Sequence, residues 1–317
     1  MSSHVICADG KDVGAGPLPA FSAGRLRRGL ADPRVYQITS LAGLLAYGTL
    51  VLGFDVTARR SLEILITVLA AQGLCSRLAG VPFEAKSALI SGLSLCLLFR
   101  SHVTSLAVVA GVLTIASKFV LRWNGKHVFN PTNLGLVAMM LATDRVWVSP
   151  GQWGSTALFG FLMACLGGLV VYRAERSDVT WAFLAFHLSL LFGRAAWLGD
   201  PLAIPVHQLS GGALLLFAFF MISDPKTTPD SRPGRILFAL LVVLGAGFVQ
   251  FRLFRPNGLL WSLAFCSPLV PLIDRLLPGR RYAWRPGASG ADASEKGNSH
   301  APAPDALRLP RRQPALG

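Results

Sequence analysis

Ten stretches of this chain are apolar over much of the length a bilayer demands, and no other feature constrains its fold as strongly. They run roughly Tyr36–Phe54, Leu62–Gly80, Ser87–Phe99, Val103–Leu121, Thr132–Val148, Gly154–Tyr172, Val179–Leu198, His207–Ile222, Gly234–Phe251 and Gly258–Ile273. A spanning helix needs about 20 mostly apolar residues, because it rises about 1.5 Å per residue through about 30 Å of hydrocarbon. Of the 317 residues, 52% are hydrophobic and only 15% are charged. A soluble domain of this size can bury a core without so many unbroken apolar runs. The pattern predicts an all-α polytopic membrane protein of about ten transmembrane helices, with the lipid bilayer as its surroundings.

The formal net charge is +14, yet its distribution argues against a nucleic-acid face. The N-terminal tail, the loops after the second, fourth, sixth and eighth segments, and the start of the C-terminal tail hold 19 Lys and Arg, whereas the opposite loops hold 7. Lys and Arg accumulate on the cytoplasmic side of membrane proteins. The asymmetry therefore places both termini in the cytoplasm, for a multi-pass protein of the cell (inner) membrane. Residues 1–35 and 278–317, rich in Pro, Gly, Ser and Arg, are expected to be disordered tails. The first 30 residues contain no apolar core of a signal peptide. Five cysteines lie far apart with no CxxC spacing, which supports neither a disulfide framework nor a zinc site. No metal site, nucleophile motif or catalytic residue is expected.

The third segment has only 13 residues between Lys86 and Arg100, and the eighth is nearly as short. Each is third in a group of five. Both carry Ser-Gly, at Ser91-Gly92 and Ser210-Gly211, an offset of 119 positions. A second pair, Phe129-Asn130-Pro131 and Phe254-Arg255-Pro256, repeats at an offset of 125. The agreement predicts two five-helix repeats, residues 36–148 and 149–277. Because five is odd, the second must be inverted. Inverted repeats with paired short, Gly-interrupted segments place a site at the repeat interface, since a helix ending inside the bilayer leaves N–H groups that need a partner.

The polar residues concentrate at two places. In "GKHVFNPTNLGL", Gly125 to Leu136, Asn130 suits a helix N-cap and Pro131 suits the first turn. Asn133, with Lys126 and His127 just before the cap, leaves two readings open, helix cap or wall of a cofactor site. In "SDPKTTPDSRPGR", Lys226, Thr227 and Thr228 are candidates for holding a phosphate or an acidic partner near a helix start. The alternative is a stiff loop whose Asp224 caps neighbouring backbone. His187 and Arg194, seven apart on the seventh segment, are intramembrane candidates, although Arg194 is placed to snorkel.

Taken together, "KHVFNPTNLGL" and "FFMISDPKTTPDSRPGRILF" resemble the NqrB/RnfD family, membrane components of the sodium-pumping NADH:quinone reductase and of the Rnf electron-transport complex. The resemblance covers roughly Tyr36 to Arg275. It implies ten spanning helices in two inverted halves. It also implies a membrane component of a flavin-dependent electron-transport complex coupled to ion movement, working with other membrane and redox subunits. In that family a Thr in a Ser-Gly-Ala-Thr motif carries FMN through a phosphoester bond. The matching stretch here is "PGQWGSTALFG", which puts Thr156 at the attachment position and Ser155 beside it. Trp153 stands where the family has Ser, Ser155 where it has Ala, and Pro150 about where an acidic residue is usual. Flavin attachment and a plain Ser155 or Thr156 helix cap both remain open readings. A second functional class, a solute transporter or channel on the same scaffold without flavin, is the alternative. The sequence has no dinucleotide fingerprint and no iron–sulfur cysteine spacing, so electrons would enter from partner subunits.

Overall fold

The structure is a computed structural model that describes residues 32–148, 157–209 and 212–282. Most of these residues are helical. The first half contains α1 (Pro33–Leu50), α2 (Ala58–Leu78), α3 (Ala85–Leu98), α4 (Thr104–Val120) and α5 (Pro131–Ala142). The second contains α6 (Ala157–Arg173), α7 (Ser177–Leu198), α8 (Ala203–Leu209), α9 (Gly212–Leu216, continued by a π turn over Phe217–Met221) and α10 (Arg232–Phe251). It ends with α11 (Gly258–Cys266) running through a 3-10 turn into α12 (Val270–Leu276).

Four helices among the described residues are long and apolar enough to cross a membrane: α2, α7, α10 and the continuous Gly258–Leu276 stretch. The pair Ala203–Leu209 and Gly212–Met221, bent by 52°, makes a fifth if taken as one broken span. Each of the ten expected segments falls on a helix, but α3 has 14 residues and α5 only 12. At about 1.5 Å per residue, neither reaches across the hydrocarbon by itself.

The fifth segment is shorter than its apolar run because the helix stops at Ala142, and Val146–Val148 leaves as a strand, β4. It pairs antiparallel with β1 (Phe99–Ser101), the residues that follow the half-length helix α3. A strand pair satisfies the backbone where two short helices end, away from any helix ladder. Arg100 completes that end. It is buried, and its guanidinium donates to the carbonyls of Cys96, Leu97 and Phe99 at 3.1, 3.1 and 2.7 Å.

Caps set the helix starts as their residue types dictate. Thr57, Asn130 and Ser231 each accept from a backbone N–H three residues on, and prolines sit in the first turns of α1, α5 and α10. α4 and α5 approach closely at Gly135, where an added Cβ would collide with the Thr114 hydroxyl and lie 3.3 Å from the Ala110 carbonyl. Gly135→Val should therefore overpack this contact, at a cost of about 1–3 kcal/mol. Thermal unfolding in detergent would read this as a lower midpoint, and an unchanged midpoint would mean the two helices are not this close.

Candidate functional site

A cavity of about 320 Å³ opens at the end of the bundle that carries the basic loops. The sequence builds it from three local devices. The first is α3, whose Ser87, Ser91 and Ser94 line the cavity. Their i, i+4, i+7 spacing puts them on one helix face. The second is a two-residue hairpin. Arg122–Trp123 (β2) pairs with Lys126–His127 (β3), joined by Asn124 and Gly125 at φ 48° and 76°. Asn-Gly is the pair that adopts this tight turn with least strain. The turn sets His127 opposite Arg122, and both line the cavity. The third is the Asn130–Thr132 start of α5.

Asn130 caps α5, its side-chain oxygen accepting from the N–H of Asn133 at 3.1 Å, while its amide nitrogen donates at 3.4 Å to the Met221 carbonyl and to Asp224. Asn130 therefore caps α5 and also lines the cavity. Asn133 is buried behind it. Its amide donates to the Leu260 carbonyl at 3.1 Å, joining α5 to α11. Asn133 does not line the cavity, and its position is that of a bridge between the two halves.

The Ser223–Pro229 turn closes the near side. Asp224 accepts from the backbone N–H of Lys226 through its carboxylate and from those of Thr227 and Thr228 through its carbonyl. Asp224 therefore both caps this turn and faces the cavity. Lys226 lines the cavity beside it, and burial holds its ammonium below the usual lysine range, with Asp224 offsetting part of that shift. Thr227 and Thr228 point elsewhere. They are buried, and Thr228 accepts from Arg176 Nε at 3.3 Å.

Alongside His127, several residues that the sequence does not single out as site residues shape the interior. Lys118 on α4 is buried, and its Nζ donates to the Ser87 carbonyl and hydroxyl at 2.8 and 3.1 Å. Gln72, 4% exposed on α2, donates to Ser76 and leaves its Oε1 without a partner among the described residues. His127 Nδ1 is likewise unpartnered. Burial, reinforced by Arg122, Lys118 and Lys226, pushes the His127 imidazole down to about 4, so its ring is neutral near pH 7. Phe119 and Phe220 add aromatic surface. The signal for these is faint in the sequence: an amide inside an apolar run and serines at helical spacing.

At the mouth, Arg34 joins Asp32 at 3.0 Å and Glu84 at 2.7 Å, and Lys86 joins Asp32 at 2.7 Å. Burial pushes the Asp32 carboxyl up, but the hydrogen bonds from Arg34 and Lys86 outweigh it and hold the group at about 2. An unfolded Asp titrates near 3.9. Because the folded value lies below the unfolded one, the stabilisation is full above about pH 4 and is lost as pH falls towards about 2. Asp32→Asn should lower the thermal midpoint at pH 7, with the gap to the parent narrowing at pH 3. A gap independent of pH would contradict the pairing.

Thr156 and Ser155 lie outside the described residues. His187 is buried and stacked on Phe183, with Nδ1 unpartnered among the described residues, but lines neither this cavity nor the smaller one beside Lys126. Arg194 pairs with Asp200 at 3.2 Å and lies over the Phe251 ring. The described residues contain no cluster of His, Cys, Asp and Glu fit to hold a metal ion.

The sequence places the second half of this architecture among known proteins. Residues 144–283 match the NQR2, RnfD, RnfE family. The stretch is somewhat less than half of the chain and includes the Ser223–Pro229 turn with Lys226, Thr227 and Thr228. Asn130 and Asn133 lie upstream of it. Relatives over a similar extent are named as the D component of an ion-translocating oxidoreductase complex. The protein of Erwinia tasmaniensis is 35% identical over 141 residues, covering 43% of this chain and 37% of its own. That of Alcanivorax borkumensis is 33% identical over 131 residues, covering 40% and 38%. The matched region thus spans under two fifths of the length of these curated relatives.

Proposed function

We propose that this chain is a membrane component of an electron-transport complex of the Rnf/Nqr type, coupled to ion transport and carrying a flavin in the cavity between α3, α5 and the Ser223–Pro229 turn. The observation that carries the reading is the wall of that cavity. Gln72 Oε1 and His127 Nδ1 are acceptors without partners among the described residues, and leaving such groups unpaired on a buried wall costs about 1–3 kcal/mol each. The N–H edge of a planar ring supplies a donor of the kind these acceptors lack, and Phe119 and Phe220 offer apolar surface for its faces. A cavity of this size is at the lower end of the range for small-molecule sites. A flavin supplies one- and two-electron chemistry when bound. The residues of this chain bind and orient it: Asn130 and Thr132 border it from the α5 start, and Lys226 with Asp224 from the turn.

We also infer two inverted five-helix repeats with ten crossings, and both termini on the cytoplasmic side. α1–α3, α2–α4 and α4–α5 pack within the first half, as α6–α9, α7–α10 and α10–α11 do within the second, while α1–α6 and α5–α11 join the halves. This parallel supports the duplication, and an odd number of helices per copy would turn the second one over. Cysteines introduced at the exposed Asn124 and Arg255, just ahead of the matching helices α5 and α11, should then label from opposite sides of the membrane. Labelling from one side would rule the inversion out. Other membrane and redox subunits would deliver and remove electrons.

Purified chain should carry flavin that appears in the absorbance spectrum and fluoresces after denaturation. A flavin-free preparation made in flavin-replete cells would count against the assignment. Mass spectrometry of peptides containing Ser155 and Thr156 separates attachment at Thr156 from non-covalent binding, because only the former adds the mass of FMN to the peptide.

A further inference from the structure

The cavity is positively charged beyond what its own carboxylates balance. Asp32, Arg34, Glu84 and Lys86 form a network at the mouth, two acids against two bases. Of the other charged residues described on the wall, Lys118, Arg122 and Lys226 are basic and Asp224 is the one acid, which leaves a formal count of +2 with His127 neutral.

Lys118 makes the imbalance consequential. The residue is 4% exposed, its Nζ has two acceptors, both on Ser87, and no carboxylate among the described residues forms an ion pair with it. An ammonium has three donors. Burying one without a counter-charge costs several kcal/mol unless something else supplies the charge. Arg122 is held in place by the bond from its Nε to the Lys118 carbonyl at 2.5 Å and by the Phe119 ring beneath it. Lys226 faces the same space from the turn.

We propose that Lys118, Arg122 and Lys226 form a binding site for the phosphate of a phosphate monoester. A dianionic phosphate offers three acceptor oxygens, matching the three cations and the two charges left uncompensated. Charge-assisted bonds of this kind are about twice as strong as neutral ones. Combined with the flavin reading, on which this part rests, the ligand is a flavin mononucleotide held without a covalent bond. The three cations would hold its phosphate, and Gln72 and His127 would border its ring. The cation cluster itself does not depend on the ring, so inorganic phosphate and phosphorylated lipid headgroups share the same chemistry.

The test is titration calorimetry on the full chain in nanodiscs of zwitterionic lipid, stripped of small ligands, with FMN, riboflavin and inorganic phosphate as the probes. FMN should bind at least about tenfold more tightly than riboflavin, as expected if its phosphate adds about 1.5–3 kcal/mol of charge-assisted bonding. Phosphate should compete, and raising the salt should narrow the FMN preference. Lys118→Met should bring the FMN-to-riboflavin ratio towards one, and Lys118→Arg should restore it. Lys226→Gln, at a half-buried position, should reduce the ratio even if the Lys118 variants fail to fold. Equal binding of FMN and riboflavin without phosphate competition would overturn the phosphate site and leave the flavin reading standing. Phosphate binding that depends on Lys226, with neither flavin bound, would support the anion site and overturn the flavin. Nanodiscs containing phosphatidate that suppress phosphate binding would identify the lipid headgroup as the source. Binding of none of the probes would overturn both.

Discussion

Lys126→Met should destabilise the protein by about 3–5 kcal/mol, the largest effect expected of any single change outside the helical core. Lys126 Nζ bridges Asp230 at 2.9 Å and Asp274 at 2.8 Å, with all three side chains less than a fifth exposed. The carboxylates come from the loop before α10 and from α12, and Asp274 also accepts from the Asp230 backbone N–H at 2.8 Å. Removing the ammonium leaves two half-buried like charges facing each other. The loss should therefore be strongly non-additive. Adding Asp230→Asn and Asp274→Asn to Lys126→Met should recover much of the stability, because the repulsion goes with the charges. Urea unfolding in mixed micelles would measure both effects. Equal stabilities for the single and triple variants would mean that the bridge is solvated and of little weight. Lys126 adjoins His127 on β3, so the same bridge fixes one wall of the cavity to the second half of the chain.

Arg100→Met should cost about 3 kcal/mol through a different mechanism. The guanidinium holds three carbonyls at the end of α3, a place where helix termini otherwise find water or a neighbouring N–H. Without it, the buried Cys96 and Phe99 carbonyls lose this donor, at about 1–3 kcal/mol for a typical group. For a chain of this size the thermal midpoint should fall by on the order of 10 °C. Arg100→Lys should recover only part, because a single ammonium cannot span the three carbonyls as a planar fork does. Full recovery by lysine would show that charge at the helix terminus matters and fork geometry does not.

These two residues show where the sequence was legible and where it was not. The shortness of α3 was readable from a mostly apolar stretch of 13 residues held between Lys86 and Arg100, and the Asn130 cap from the residue before Pro131. The counter-role of Arg100 was not, because nothing local says that the side chain turns back on its own helix. Thr132–Val148 reads as one apolar run, yet it divides into a helix and a strand. Strand pairing with Phe99–Ser101 is a contact across more than 40 residues, and local periodicity carries no trace of it. Lys118 reads in sequence as a loop-side topology marker at the end of an apolar segment. Only the packing of α4 beside α3 turns it inward to Ser87. Lys126 and His127 stand out as polar residues before a cap, but their roles differ. One ties the fold together and the other faces the cavity.

Whether this cavity holds a redox flavin is tested most directly by stepwise potentiometric reduction of the purified chain in nanodiscs, followed by absorbance. The expected result is a reversible loss of the flavin bands at a midpoint that shifts in Gln72→Leu and His127→Leu, whose side chains border the ring. Flavin bands that vanish on gentle desalting, or a midpoint equal to that of free flavin in every variant, would contradict it.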